Sequence, residues 1–114
     1  MKRLCFALDL VDEPEKIEEY KRHHREFWPG LEKNALNAGI NALELYNIGD
    51  RLFMIWEVDD DFEMGKKKAS DPELEKLGQK WEDLMSTFQK PLPQAKPGEK
   101  WVQMEKIFDL EDFI

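Results

Sequence analysis

Tyr20 and His24 lie four residues apart and lead into Trp28-Pro29. At about 100° per residue, Ile17, Tyr20, His24, Phe27 and Trp28 fall in one apolar stripe of the width a helix turns toward a core. Residues at i and i+4 on a helix are neighbours, so the phenol and the imidazole should meet. An imidazole titrates near neutrality and can both give and take a proton. A phenol one turn away can orient it or hydrogen-bond a polyol. Read by itself, His24 fits a core histidine bonded to a backbone carbonyl better than a catalyst. His23 falls at the stripe's edge and is expected to be solvated, because adjacent histidines on a regular helix cannot both face one pocket. No His/Asp/Glu cluster has the spacing of metal ligands. No Gly-rich phosphate loop, nucleophile elbow or Cys/His pair is present either.

The chain has four tryptophans: Trp28, Trp56, Trp81 and Trp101. Trp56 and Trp101 read as core. Trp81 stands among Lys80, Glu82 and Asp83 and is a candidate for a cavity rim, where an indole face could stack on the C–H face of a sugar. Lys66-Lys67-Lys68 reads as a solvated face. Asp59-Asp60-Asp61 reads as a strand-to-helix turn that caps the next helix.

These side chains need elements to position them. Leu4, Phe6, Leu8 and Leu10 alternate with Arg3, Cys5, Ala7 and Asp9, a strand over 3–11. Asp12 suits an N-cap and Pro14 a first turn, so a helix is expected from Pro14 to Trp28. Pro29 ends it or starts another, and a second helical stretch over 29–38 should stop at Gly39. Strands over 40–47 and 51–59 flank Ile48-Gly49-Asp50, a hairpin signal. The second of them is apolar on both faces, so both faces should be covered. Residues 60–69 suggest a short helix. Asp71-Pro72 opens a longer one reaching about Phe88. Residues 91–98, with three prolines and a glycine, form a loop, and Lys100 to Phe108 a last strand. Leu110 to Ile114 is an apolar tail that could dock on another surface.

The order β-α-β-β-α-β is the ferredoxin-like arrangement, an α+β fold with helices on one face of its sheet. The other face carries apolar side chains a monomer cannot cover. Dimerisation through the open faces, enclosing a barrel-like space, is the natural solution.

At 114 residues, 41% hydrophobic and 37% charged, the chain is one domain over 1–114 with enough apolar residues for a core. The 25 acidic residues against 17 basic ones, a net charge of −8, argue against nucleic acid as a partner. No apolar run approaches the ~20 residues that span a membrane. Asp9 and Asp12 interrupt the apolar start, so no signal peptide is expected. Cys5 is the only cysteine, which fits a reducing cytoplasm and excludes an intramolecular disulfide.

Tyr20-x3-His24-x3-Trp28-Pro29, then Gly39, then a strand ending near Tyr46, resembles the L-rhamnose mutarotase family. Lys80-Trp81-Glu82-Asp83-Leu84-Met85 is similar to that family's tryptophan-containing helix, and the likeness runs from the first strand to the last. The resemblance implies a dimeric ferredoxin-like fold that interconverts the α and β anomers of a 6-deoxy-L-hexose without a cofactor. It implies that His24 is the acid/base residue and Tyr20 its sugar-contacting neighbour. Trp81 matches one of a pair of adjacent tryptophans; Lys80 replaces the other. A sugar-contacting tyrosine of the rhamnose enzyme aligns with Leu43. Both departures fall where the sugar's hydroxyls are read, while the acid/base residue is kept. The same chemistry on another sugar follows, with L-fucose leading. The segment 53–62 and the loop Lys90-Pro91-Leu92-Pro93 resemble a subgroup associated with fucose use.

Mutarotation protonates the ring oxygen, deprotonates the anomeric hydroxyl, and reverses both steps on the other face. One proton-shuttling histidine suffices, and the reaction needs no metal or redox centre. His24 is expected to transfer the proton, Tyr20 to orient it or the sugar, and Trp81, Trp28 and Lys80 to shape and read the pocket. Two other readings use the same scaffold: a cofactor-independent monooxygenase acting on aromatic substrates, and a dimeric ligand-binding module, for instance with His24 as an axial haem ligand.

Overall fold

A computed structural model describes residues 1–66 and 71–114. The elements run β1 (Lys2–Leu10), α1 (Pro14–Arg25), α2 (Glu32–Asn37), β2 (Ile40–Ile48), β3 (Arg51–Val58), α3 (Pro72–Ser86), β4 (Gln89–Lys90), β5 (Val102–Gln103) and a 3₁₀ turn over Leu110–Phe113. The strands form one antiparallel sheet in the order β2-β3-β1-β4, with β5 also on β1. The fold is mixed α+β.

The register follows the alternation in the sequence. Phe6 pairs with Met54 and Leu8 with Leu52, so the large apolar residues of β1 and β3 share a face. Leu10 and Leu52 on that face join Tyr20 of α1 and Trp81 and Met85 of α3 in one buried core, closed by Leu31 and Phe88. On the opposite face Asp9 lies directly across from Arg51 and is buried by an ion pair with it. Phe53 and Ile55 on that face are only half-buried. The β2–β3 hairpin closes through Gly49-Asp50, with Ile48 opposite Arg51. Gly49 has φ 55°, the positive value a primed two-residue turn needs at its first central position.

Local chemistry sets the helix ends, in places differently from expectation. In α1 the N-cap is Glu13, not Asp12, and no side chain caps it; Pro14 does occupy the first turn. The helix ends at Arg25, not Trp28. Pro29 clashes with the carbonyl four residues back and forces its predecessor out of the helical region, so Phe27-Trp28 must leave the helix. The second helical stretch is shortened to Glu32–Asn37 and ends before Gly39, whose φ is 87°. In α3 Asp71 caps as expected, its carboxylate accepting from Glu73 N–H at 3.0 Å and Leu74 N–H at 3.4 Å. Asn34 of α2 donates to the Leu74 carbonyl at 2.6 Å and so holds the two helices together. A Cβ on Gly78 would stand 2.8 Å from that amide, and glycine is what lets the helices meet this closely. α3 stops at Ser86, two residues before Phe88, and the Phe88 carbonyl accepts from Val11 N–H at 2.8 Å.

Two expected elements are absent or cut short. Residues 60–66 form turns, not a helix; the remainder of that expected helix, with Lys67 and Lys68, lies outside the described residues. Asp59 accepts from Asn41 at 2.7 Å, and Asp60 pairs with the N-terminal ammonium at 3.0 Å. The last strand is reduced to Val102–Gln103, although Met104 N–H still reaches the Cys5 carbonyl at 2.7 Å. The register that pairs Phe6 with Gln103 would next set Lys106 across from Arg3, and like charges directly opposed destabilise a ladder. Lys106 instead pairs with Asp109 at 2.6 Å. Part of the missing pairing is supplied by β4, where Gln89 lies opposite Leu10.

Candidate active site

α1 lies over the helix-side face of the sheet and presents Tyr20 and His24 there. Tyr20 is fully in the core. Its ring centroid is 4.6 Å from that of His24, as the i, i+4 spacing requires. His24 Nδ1 lies 2.8 Å from the Tyr20 carbonyl oxygen. A carbonyl can only accept, so Nδ1 carries the hydrogen and neutral His24 keeps its lone pair on Nε2. Burial lowers the pKa of His24 below the usual 6.5, partly opposed by the bond to the Tyr20 carbonyl and reinforced by neighbouring His23. The ring is therefore a neutral base at neutral pH. For Tyr20, burial pushes the ionisation up to about 12, with the Gln89 hydrogen bond opposing and the Glu82 charge adding. The phenol keeps its proton and acts as a hydrogen-bond donor.

A cavity of about 290 Å³ opens beside this pair, near the lower end of small-molecule sites. Tyr20, Lys21, His24 and Arg25 of α1 form one wall; Leu45, Tyr46 and Asn47 of β2, with Leu10 and Leu52, form the other. In a chain of net charge −8 this wall holds two cations and no carboxylate. Arg25 pairs with Glu18 at 3.4 Å outside it. The Tyr46 hydroxyl donates to Glu44 at 3.1 Å. The lining offers hydroxyl, ammonium, guanidinium and amide groups around an apolar floor, a set suited to a small polyol. Among the described residues no group of three or more His, Cys, Asp or Glu could hold a metal ion.

The tryptophans take a different place. Trp81 is 8% exposed, a core residue instead of a rim residue. His24, Phe27 and Trp28 all meet it edge-on, with centroids 5.2, 5.1 and 5.2 Å away. Trp81 thus backs His24 from behind, and half-buried Trp28 backs Trp81. Lys80 is exposed on α3. Trp28, Lys80, Trp81 and Leu43 are outside the wall of this cavity. His23 is only partly solvated: its side chain is 20% exposed, it lies 3.8 Å from Glu19, and its ring packs 5.6 Å from Phe88.

Lys21, Arg25 and Asn47 did not stand out in the sequence, and Tyr46 served there only to mark a strand end. A signal for the first two existed. Lys21 and Arg25 repeat the i, i+4 spacing of Tyr20 and His24 one residue along, so they flank that pair. Nothing comparable marks Asn47, because its placement depends on the β2–α1 approach.

The L-rhamnose mutarotase family model matches residues 3–110. The chain is 42% identical over its whole length to a protein of Xanthomonas campestris pv. campestris named L-fucose mutarotase, covering 92% of it. It is 30% identical, over 80% of its length and 88% of the relative, to a protein of Burkholderia ambifaria named L-rhamnose mutarotase. The fold is similar to the crystal structure of an L-rhamnose mutarotase from Formosa agariphila, with a TM-score of 0.65 over 96% of this chain and 98% of that one at 21% identity. With the helix-borne Tyr20–His24 pair and its cavity in place, the chain belongs to the L-rhamnose mutarotase family, whose members are isomerases acting on sugar anomers.

Proposed function

We propose that this chain interconverts the α and β anomers of a 6-deoxy-L-hexose, L-fucose first and L-rhamnose second. One observation carries the reading: His24 is held by the Tyr20 carbonyl as a neutral base whose free nitrogen is Nε2, in the wall of a sugar-sized cavity. His24 Nε2 takes the proton of the anomeric hydroxyl as the bond from C1 to the ring oxygen breaks. The imidazolium returns that proton to the ring oxygen, leaving a hydroxy-aldehyde. Rotation about C1–C2 and the reverse steps close the other anomer. Tyr20, with its ionisation near 12, hydrogen-bonds the ring oxygen without surrendering its proton. A positioned acid–base group contributes about 10²–10⁴-fold.

Trp81 and Trp28 shape the pocket from behind by fixing the His24 ring. Lys80 is assigned to the sugar's outer hydroxyls by its place in the family motif alone. L-fucose ranks first because the relative bearing that name matches the whole chain at higher identity. The order β2-β3-β1-β4 with both long helices on one face supports the ferredoxin-like reading. The half-buried Phe53 and Ile55 on the other face, and the exposed Ile107, Phe108, Phe113 and Ile114, support a homodimer. No described helix is long and apolar enough to cross a membrane. The acidic, cysteine-poor composition supports a cytoplasmic setting for one domain over 1–114.

Saturation-transfer NMR on L-fucose and L-rhamnose in parallel tests the reading. Faster anomer exchange is expected for both, with the larger effect on L-fucose. No acceleration for either sugar would remove it.

A further inference from the structure

Gln89 is a half-buried polar residue for which neither the family motif nor the cavity wall accounts. It lies in β4 opposite Leu10, whose side chain lines the cavity. Its amide nitrogen donates to the Tyr20 hydroxyl oxygen at 3.2 Å. Its Oε1 is buried with no hydrogen-bond partner among the described residues. Such an atom is costly and calls for a reason. Packing supplies none, since a leucine would fill similar space without an unmet acceptor. The reverse amide orientation would strand an NH₂ with two donors, whereas an under-satisfied carbonyl oxygen is the commoner compromise.

We propose that Gln89 is a positioning residue that acts through Tyr20. By occupying a lone pair of the phenol oxygen, the Gln89 N–H bars the Tyr20 hydrogen from that direction and turns it into the cavity, toward the sugar's ring oxygen. Tyr20 is thereby set as a donor before substrate arrives. The inference rests on the mutarotase reading, since the donor is aimed at an oxygen only that reaction needs to polarise.

The test compares Gln89→Leu, Gln89→Glu and wild type in the anomer-exchange assay, alone and with Tyr20→Phe. Gln89→Leu should slow exchange about tenfold. It should have no effect when Tyr20→Phe is already present. Gln89→Glu presents a carboxylate that accepts a hydrogen bond from the phenol and turns its hydrogen out of the cavity. It should therefore be slow at neutral pH and recover relative to wild type in acid, as the protonated carboxyl becomes a donor. A purely structural residue would not give that rising ratio. Full activity of Gln89→Leu, or a Gln89→Glu to wild-type ratio flat with pH, overturns the proposal. A readout independent of catalysis separates it from the mutarotase reading. The Gln89 side-chain N–H resonances should move in Tyr20→Phe, which removes their acceptor. Resonances unchanged in that variant overturn the proposal whatever the activity, whereas a wild-type protein that exchanges no sugar counts against the reading on which it rests.

Discussion

The core beneath α1 and the C-terminal segment are comparably apolar and end up in opposite states. Tyr20, Trp81, Met85 and Phe88 are buried against Leu10 and Leu52. Ile107, Phe108, Phe113 and Ile114 stay exposed, with the last two at 77% and 91%. Hydrophobicity is the same in kind; what differs is whether a partner surface exists within the chain. The α1 stripe has helical period and meets the sheet's alternating face. The C-terminal segment leaves the ladder after Met104, and its apolar side chains meet little of the described chain. The first region is therefore buried within the chain, and the second stays exposed.

That comparison can be broken at its strong end. Trp81→Ala should cost about 3–5 kcal/mol, because it opens a cavity that three aromatic rings now share. A urea titration measures the loss, and a cost under about 1 kcal/mol would mean the core does not converge on this ring. Tyr20→Phe keeps the packing but removes the acceptor of the Gln89 N–H, so it should cost about 1–2 kcal/mol and slow anomer exchange about tenfold. A normal exchange rate would make Tyr20 a core residue only. Asp71→Ala should cost about 1 kcal/mol through the lost α3 cap, with the exchange rate of the folded protein unchanged. At the weak end, Phe113→Ser with Ile114→Ser should alter association more than internal packing. Sedimentation should show a dimer of the parent chain shifting toward monomer; an unaltered distribution would remove the tail from the interface.

The pH dependence sharpens the role of His24. Burial lowers its pKa, so the neutral base persists below 6.5. Activity should be level through neutrality and fall in acid with a midpoint below 6.5, as the base becomes protonated. Tyr20, ionising near 12, contributes no limb near neutrality. A midpoint above 6.5 in the rate profile would contradict the burial argument.

Much of this was legible where a residue type and a period act together. The alternation of Leu4, Phe6, Leu8 and Leu10 predicted β1 and the side its large apolar residues share, and Asp71-Pro72 predicted the start of α3. The Tyr20–His24 pair followed from spacing alone, and its catalytic reading from resemblance. Long-range contacts were less legible. Trp81 looked like a rim residue because its neighbours in sequence are charged, yet a helix places i±1 residues on different faces. Gln89 was unreadable because its pairing with Leu10 is tertiary. The C-terminal strand misled through its alternation, since the opposition of Lys106 and Arg3 that a longer strand would bring is legible only once a register is known.

The most direct test of the central claim is saturation-transfer NMR of L-fucose with wild-type protein and with His24→Ala, each checked for folding by circular dichroism. Wild-type protein should accelerate anomer exchange, and the folded variant should be slower by about 10²–10⁴-fold. A folded His24→Ala protein that exchanges anomers near the wild-type rate would contradict the claim.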